Sequence, residues 1–200
     1  SDLLRENDWK ATLSVIRENM VLKIQKVEAG DTTSSHYGLA VDVGTTTVVA
    51  QLVDLRTGRV LGVEGAHNMQ AQYGEDVISR MIFACRKDKS GLQPLQEAVV
   101  KNINDLIDAL VRREGIQREE IFAMTATRNT TMSHLLLGLT PCAIRMEPYV
   151  PTADAYPQIL ASDLGIRIHP QGILETLPSV ASYVGGDIVA GGISSGIAEQ

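Results

Sequence analysis

Apolar and polar positions alternate with period two through the first third of the chain. Lys10 to Arg17 and Met20 to Val27 alternate around Glu18-Asn19, which predicts a β-hairpin. Ala29 to Tyr37, AGDTTSSHY, is small and polar and reads as a linker. Strands are predicted at Tyr37–Val43, Thr47–Asp54 and Val60–His67, with DLRTGR as the turn between the last two. Three strands in such tight succession must run antiparallel. The period then lengthens. Asp76 to Cys85 and Leu92 to Arg113 have helical spacing, and Leu95, Val99, Ile103, Leu106, Ile107 and Leu110 share one face, with Gly115 as the stop. Ile121 to Ala126 predicts a short strand. Asn129 or Thr130 then caps a helix to Leu137, stopped by Gly138. Pro141 to Pro157 reads as an ordered surface loop, Ile173 to Thr176 as a strand, and Tyr183-Val184-Gly185-Gly186-Asp187 opens a small-residue helix to about Ala198.

The predicted order is β-β-β-α(α)-β-α-β-α after the hairpin. A Rossmann domain would alternate strand and helix from the start. Three antiparallel strands followed by helix-connected parallel strands is a ribonuclease-H-like α/β arrangement, with helices on both faces of the sheet. Residues 1–36 read as a hairpin and linker that end a preceding middle domain, and 37–200 as the lobe itself.

Composition narrows the class. Hydrophobic residues make up 44% but aromatics only 4%, so the core must rest on aliphatic side chains. A net charge of −6 argues against a general nucleic-acid surface. Neither a signal peptide nor a membrane-spanning apolar run is visible, which predicts a soluble cytoplasmic chain. Cys85 and Cys142 are far apart and lack metal-ligand spacing; they read as isolated thiols that build neither a zinc nor an iron–sulfur site.

The chemistry concentrates in Gly38 to Asp54, GLAVDVGTTTVVAQLVD. A strand–turn–strand with Asp42, Gly44, Thr45, Thr46 and Thr47 at its tip gathers backbone N–H groups, three hydroxyls and a carboxylate. Amides and hydroxyls hold phosphate oxygens, and a carboxylate holds Mg²⁺ through water. Most such clusters are plain polar turns, but the strand order puts this one where a ribonuclease-H-like lobe carries its first phosphate loop. Asn129, Thr130 and Thr131 open a helix after a parallel strand, so they are caps and candidate ligand contacts. Gly185 and Gly186 permit close approach by a ligand or another chain, and Asp187 beside them is the candidate catalytic carboxylate. His134 reads as a buried, hydrogen-bonded histidine. Asp76 and Arg80, four apart, read as an exposed helix pair.

With DVGTTT at its first turn, the order resembles the first lobe of the acetate kinase, sugar kinase, Hsp70 and actin superfamily. Tyr73–Arg80 (YGEDVISR), Asn129–Leu139 (NTTMSHLLLGL) and Tyr183–Gly191 (YVGGDIVAG) narrow the resemblance to ATP-dependent reductive activators of corrinoid proteins. It implies ATP or ADP with Mg²⁺ held by Asp42 through water, a second lobe that completes the site, and a [2Fe–2S] cluster elsewhere in the parent protein. It also implies a corrinoid protein or corrinoid-dependent methyltransferase as partner, restored to cob(I)alamin. Asp187 would orient water or metal. Arg128 stands where relatives carry Gly, and a cation there would meet a phosphate or a partner carboxylate. The alternatives are a small-molecule kinase of the same superfamily and a non-catalytic interaction module.

Overall fold

The structure, a computed structural model, describes residues 2–5, 7–18, 20–86 and 90–196. A short helix α1 (Asp2–Arg5) precedes a two-stranded antiparallel sheet of β1 (Ala11–Glu18) and β2 (Val21–Ala29). The predicted hairpin is there; Asn19, at its predicted turn, lies outside the described residues. The hairpin packs on the body through Gln25, whose Nε2 donates to the carbonyls of Phe122 and Gln171 at 3.3 and 2.7 Å.

The body is a six-stranded sheet in the order β5-β4-β3-β6-β8-β7. Its first three strands are β3 (Tyr37–Val43), β4 (Thr47–Asp54) and β5 (Arg59–His67), antiparallel as predicted. β6 (Ile121–Thr127) runs parallel to β3, and β8 (Ile173–Thr176) parallel to β6. β7 (Ile159–Leu160) is a two-residue antiparallel edge strand that the sequence pattern was too short to show.

Three helices build the core: α2 (Val77–Ala84), α3 (Leu92–Glu114) and α4 (Thr130–Leu137). All six positions of the predicted α3 stripe, from Leu95 to Leu110, are buried. They meet Leu39, Val41 and Val43 of β3, Val48, Ala50 and Leu52 of β4, and Met124 and Ala126 of β6. Period two along β3 therefore sends Ala40 and Asp42 to the opposite, open face. Gly115 and Gly138 end α3 and α4 in the left-handed conformation, at φ 68° in both. The last helix, α5 (Gly186–Ser194), stops four residues short of the predicted Ala198. Ser195 and Gly196 already turn away, and 197–200 lie outside the described residues.

Two expectations are corrected. Cys85 and Cys142 are not isolated thiols; they form a disulfide across 57 residues, because the end of α2 packs on the 3-10 turn Cys142–Arg145. Pro141 to Pro157 is irregular as expected but not wholly superficial, since Ile144 is buried and His134 accepts from its backbone.

Candidate functional site

Asp42 is the next-to-last residue of β3 and stands at the carboxyl end of the parallel strands, where open α/β sheets place ligands. It shares a groove of about 200 Å³ on the open sheet face with Ala40, Val49, Gln51, Thr125 and Thr127. Thr127 donates its Oγ1 to Asp42 Oδ1 at 3.2 Å. Asp42's pKa is raised, first by partial desolvation and further by the charge of Asp187; the Thr127 bond opposes the rise. The first turn of α5 therefore brings a second carboxylate towards the first.

The turn after β3 is held from behind. Asn68 donates its backbone N–H to the Thr46 carbonyl at 2.8 Å and its Nδ2 to the Gly44 carbonyl at 2.8 Å. Arg80 donates Nη2 to the Thr45 carbonyl at 2.7 Å. Three successive carbonyls are thus drawn inward. Among the described residues, none accepts a hydrogen bond from the N–H groups of Thr45 or Thr46. Gly44 is required by space: a Cβ there would lie 2.8 Å from the Thr47 carbonyl oxygen. Thr46 and Thr47 are exposed.

Asn129 joins the loop to the neighbouring helix. Its Oδ1 accepts from the Met132 N–H at 3.0 Å and caps α4, while its Nδ2 donates to Thr45 Oγ1 at 3.3 Å. Thr130 and Thr131 are not brought to the loop. Both are buried, the first donating to the Ala181 carbonyl at 2.6 Å and the second turned toward Met81 sulfur at 3.8 Å. Gly185 and Gly186 serve contacts within the chain. Added Cβ atoms would lie 2.2 Å from the Arg128 carbonyl oxygen and 2.7 Å from Leu177 Cβ, so α5 begins seated on the turn that opens α4. The later small residues are different: Cβ atoms at Gly191 and Gly192 would meet no described atom within 4 Å.

Two arginines depart from expectation. Arg80 does not pair with Asp76 at the surface. It is fully buried on the face it shares with Met81 and Ala84, while Asp76 caps α2 by accepting from the Ser79 N–H at 2.7 Å. Arg128 does not reach the loop either. It is 1% exposed, and burial pushes its pKa down to about 10. Its Nη1 makes a long 3.5 Å bond to the Ala126 carbonyl, and Nε and Nη2 have no described partner. His134 is buried and bonded as expected: Nε2 accepts from the Thr152 N–H at 3.1 Å, so Nδ1 donates to the Thr130 carbonyl at 2.8 Å.

Asn68, Gln70 and Arg80 were missed as site residues. Arg80 carried a signal, since 80, 81 and 84 fall on one helical face. Asn68 carried none, being a single polar residue after a strand.

No described helix is long and apolar enough to cross a membrane. No described group of three or more His, Cys, Asp or Glu side chains is placed to hold a metal, and both cysteines are joined to each other.

A protein-family model described as the RACo middle region matches residues 37–200. The corrinoid activation enzyme RamQ of Eubacterium limosum is 30% identical over 154 residues, which cover 77% of this chain and 26% of that protein. A solved structure described as a reductive activator for corrinoid, iron-sulfur protein aligns with a TM-score of 0.94 at 41% identity, over 100% of this chain and 32% of its own. The chain thus spans between a quarter and a third of the length of these relatives.

Proposed function

The chain belongs to the RACo middle region family, with an actin-like ATPase-type fold, and on that premise we propose that it is the first phosphate-binding lobe of an ATP-dependent activator of corrinoid proteins. One observation carries the reading. The carbonyls of Gly44, Thr45 and Thr46 are tied back by Asn68 and Arg80, and the N–H groups that share those peptide planes, of Thr45, Thr46 and Thr47, therefore point the other way, toward an anion. In this reading the amides of Thr45 to Thr47 and the hydroxyls of the same residues bind phosphate oxygens. Asn129 fixes Thr45, and Thr130 and Thr131 contribute through the packing of α4 rather than by touching nucleotide.

Asp42 and Asp187 fit a Mg²⁺ held largely through water. Desolvation first, and then the charge of Asp187, raise the pKa of Asp42, and a divalent cation beside Asp42 would offset both. Asp187 is the better placed to orient a water, since its carboxylate is exposed and its one internal bond is to the Ile188 N–H. The partner would be a corrinoid protein, by analogy with what the relatives are named for, or a corrinoid-dependent methyltransferase, as the sequence motifs suggest. The electron-delivering cluster would belong to another part of the parent protein. A second lobe would close over the loop, and the open positions at Gly191 and Gly192 suit a helix crossing there.

Calorimetric titration of Mg-ATP tests this. The reading expects weak or no binding by residues 1–200 and measurable binding by the full-length protein. A full-length protein that takes up no heat from Mg-ATP would defeat it.

A further inference from the structure

Arg80 poses a problem of electrostatics. It is 0% exposed, and burial lowers its pKa. Taking a guanidinium out of water costs several kcal/mol unless it is paired. Its pairing here is unusual. Nε donates to the Gly74 carbonyl at 2.8 Å, Nη2 to the Thr45 carbonyl at 2.7 Å, and Nη1 approaches Gln70 Oε1 at 3.4 Å and the Met132 sulfur at 3.6 Å. Every one of these acceptors is neutral. Asp76, the cap of the same helix, offsets the burial of Arg80 in part through its charge, but it spends Oδ1 on the Ser79 N–H and makes no described hydrogen bond to the guanidinium. Gln70 is itself fixed, its Nε2 donating to the Leu95 carbonyl at 2.8 Å. A leucine or methionine would fill this side of α2 without the desolvation cost.

We propose that Arg80 is a positioning residue for the phosphate loop, and that a guanidinium without a hydrogen-bonded carboxylate is kept beneath the loop to favour an anion above it. This rests on the phosphate-loop reading of Gly44 to Thr47. The guanidinium acts in two ways. By holding the Thr45 carbonyl inward it turns the adjoining amides outward. As a full positive charge in a low-dielectric setting behind those amides, it adds a long-range attraction that a neutral donor would not supply. It also ties the loop to α2 and, through Gln70, to the 3-10 turn Met69–Tyr73.

The test is Mg-ADP affinity and its salt dependence in the full-length protein, for wild type, Arg80→Gln and Arg80→Lys, each assayed well below its own unfolding temperature. Loss of a charge-assisted bond predicts binding weakened more than about tenfold in Arg80→Gln, with a shallower salt dependence. Arg80→Lys keeps the charge but not the fork; it should keep the salt dependence and lose about threefold to tenfold in affinity. Hydrogen exchange at the amides of Thr45 to Thr47 should quicken in both. Affinity for Mg-ADP within about twofold of wild type in Arg80→Gln, with only the melting temperature lowered, makes Arg80 merely structural and overturns the proposal. If Arg80→Gln does not fold, Arg80→Lys decides, and wild-type affinity with wild-type exchange in that variant overturns it equally. A wild-type protein that ignores Mg-ADP removes the phosphate-loop reading itself, and this inference with it.

Discussion

At the scale of single residues, Gly44 stands where a methyl group has no room. A Cβ would press on the Thr47 carbonyl oxygen at 2.8 Å, and backbone cannot step aside as a side chain can. Gly44→Ala should therefore distort the loop while leaving the distant core intact. The expected outcome is loss of Mg-ATP binding in the full-length protein with a melting temperature close to wild type, read by calorimetry and thermal unfolding on the same samples. Arg128 makes the opposite case. Its Nε and Nη2 are buried without described partners, so its charge is desolvated with little return. Replacement of a poorly compensated buried charge by an apolar side chain is often neutral or stabilising. Arg128→Met should leave denaturant stability unchanged or raise it, and a loss of more than about 2 kcal/mol would contradict that account. The place of Asp42 and Gly44 at a strand–turn–strand tip was legible in the sequence, because two apolar period-two runs flank them. Arg80 was misread because an Asp four residues before an Arg looks like a surface pair until the helix face is known.

At the scale of elements, Asn129 does two jobs that can be separated. Asn129→Ala removes the cap of α4 and should cost about 1 kcal/mol. Asn129→Asp keeps an oxygen for the Met132 N–H but lacks the Nδ2 donor to Thr45, so it should preserve stability and weaken only nucleotide binding. Equal effects of the two substitutions on both properties would show that the Thr45 contact is idle. The seating of α5 is similarly specific: Gly185→Ala puts a methyl 2.2 Å from the Arg128 carbonyl oxygen, and overpacking of this kind costs about 1–3 kcal/mol. Where the period was long, as in the Leu95 to Leu110 stripe of α3, element and face were both readable. Two-residue β7 and the disulfide were not. The first is shorter than any period, and the second depends on α2 and the turn at Cys142–Arg145 meeting in space.

At the scale of the whole molecule, three histidines set the response to acid. His36, His134 and His169 all have pKa values lowered from 6.5, with burial the largest cause in each. The unfolded chain takes up these protons near pH 6.5, whereas the folded chain resists until lower pH. Stability is thus complete above pH 6.5 and falls as the pH drops toward the folded values. Denaturant midpoints should be lower at pH 5.5 than at pH 7.5, and His134→Gln should flatten that dependence; a midpoint that rises on acidification would reverse the sign of this argument.

The strand order was the strongest whole-molecule signal, because antiparallel strands in quick succession followed by helix-connected ones admit few topologies. It located the β3–β4 turn, the proposed phosphate loop, before any side chain was placed. The side chains behind the loop come from β5's exit and from α2, and only the fold brings them there. The central claim is that the amides of Thr45 to Thr47 receive nucleotide phosphate above Asn68 and Arg80. A crystal structure of the full-length protein with Mg-ADP tests it most directly. The account predicts phosphate oxygens within hydrogen-bond distance of those amides and a hydrated Mg²⁺ beside Asp42. Nucleotide bound elsewhere, with the loop amides turned away from it, would contradict it.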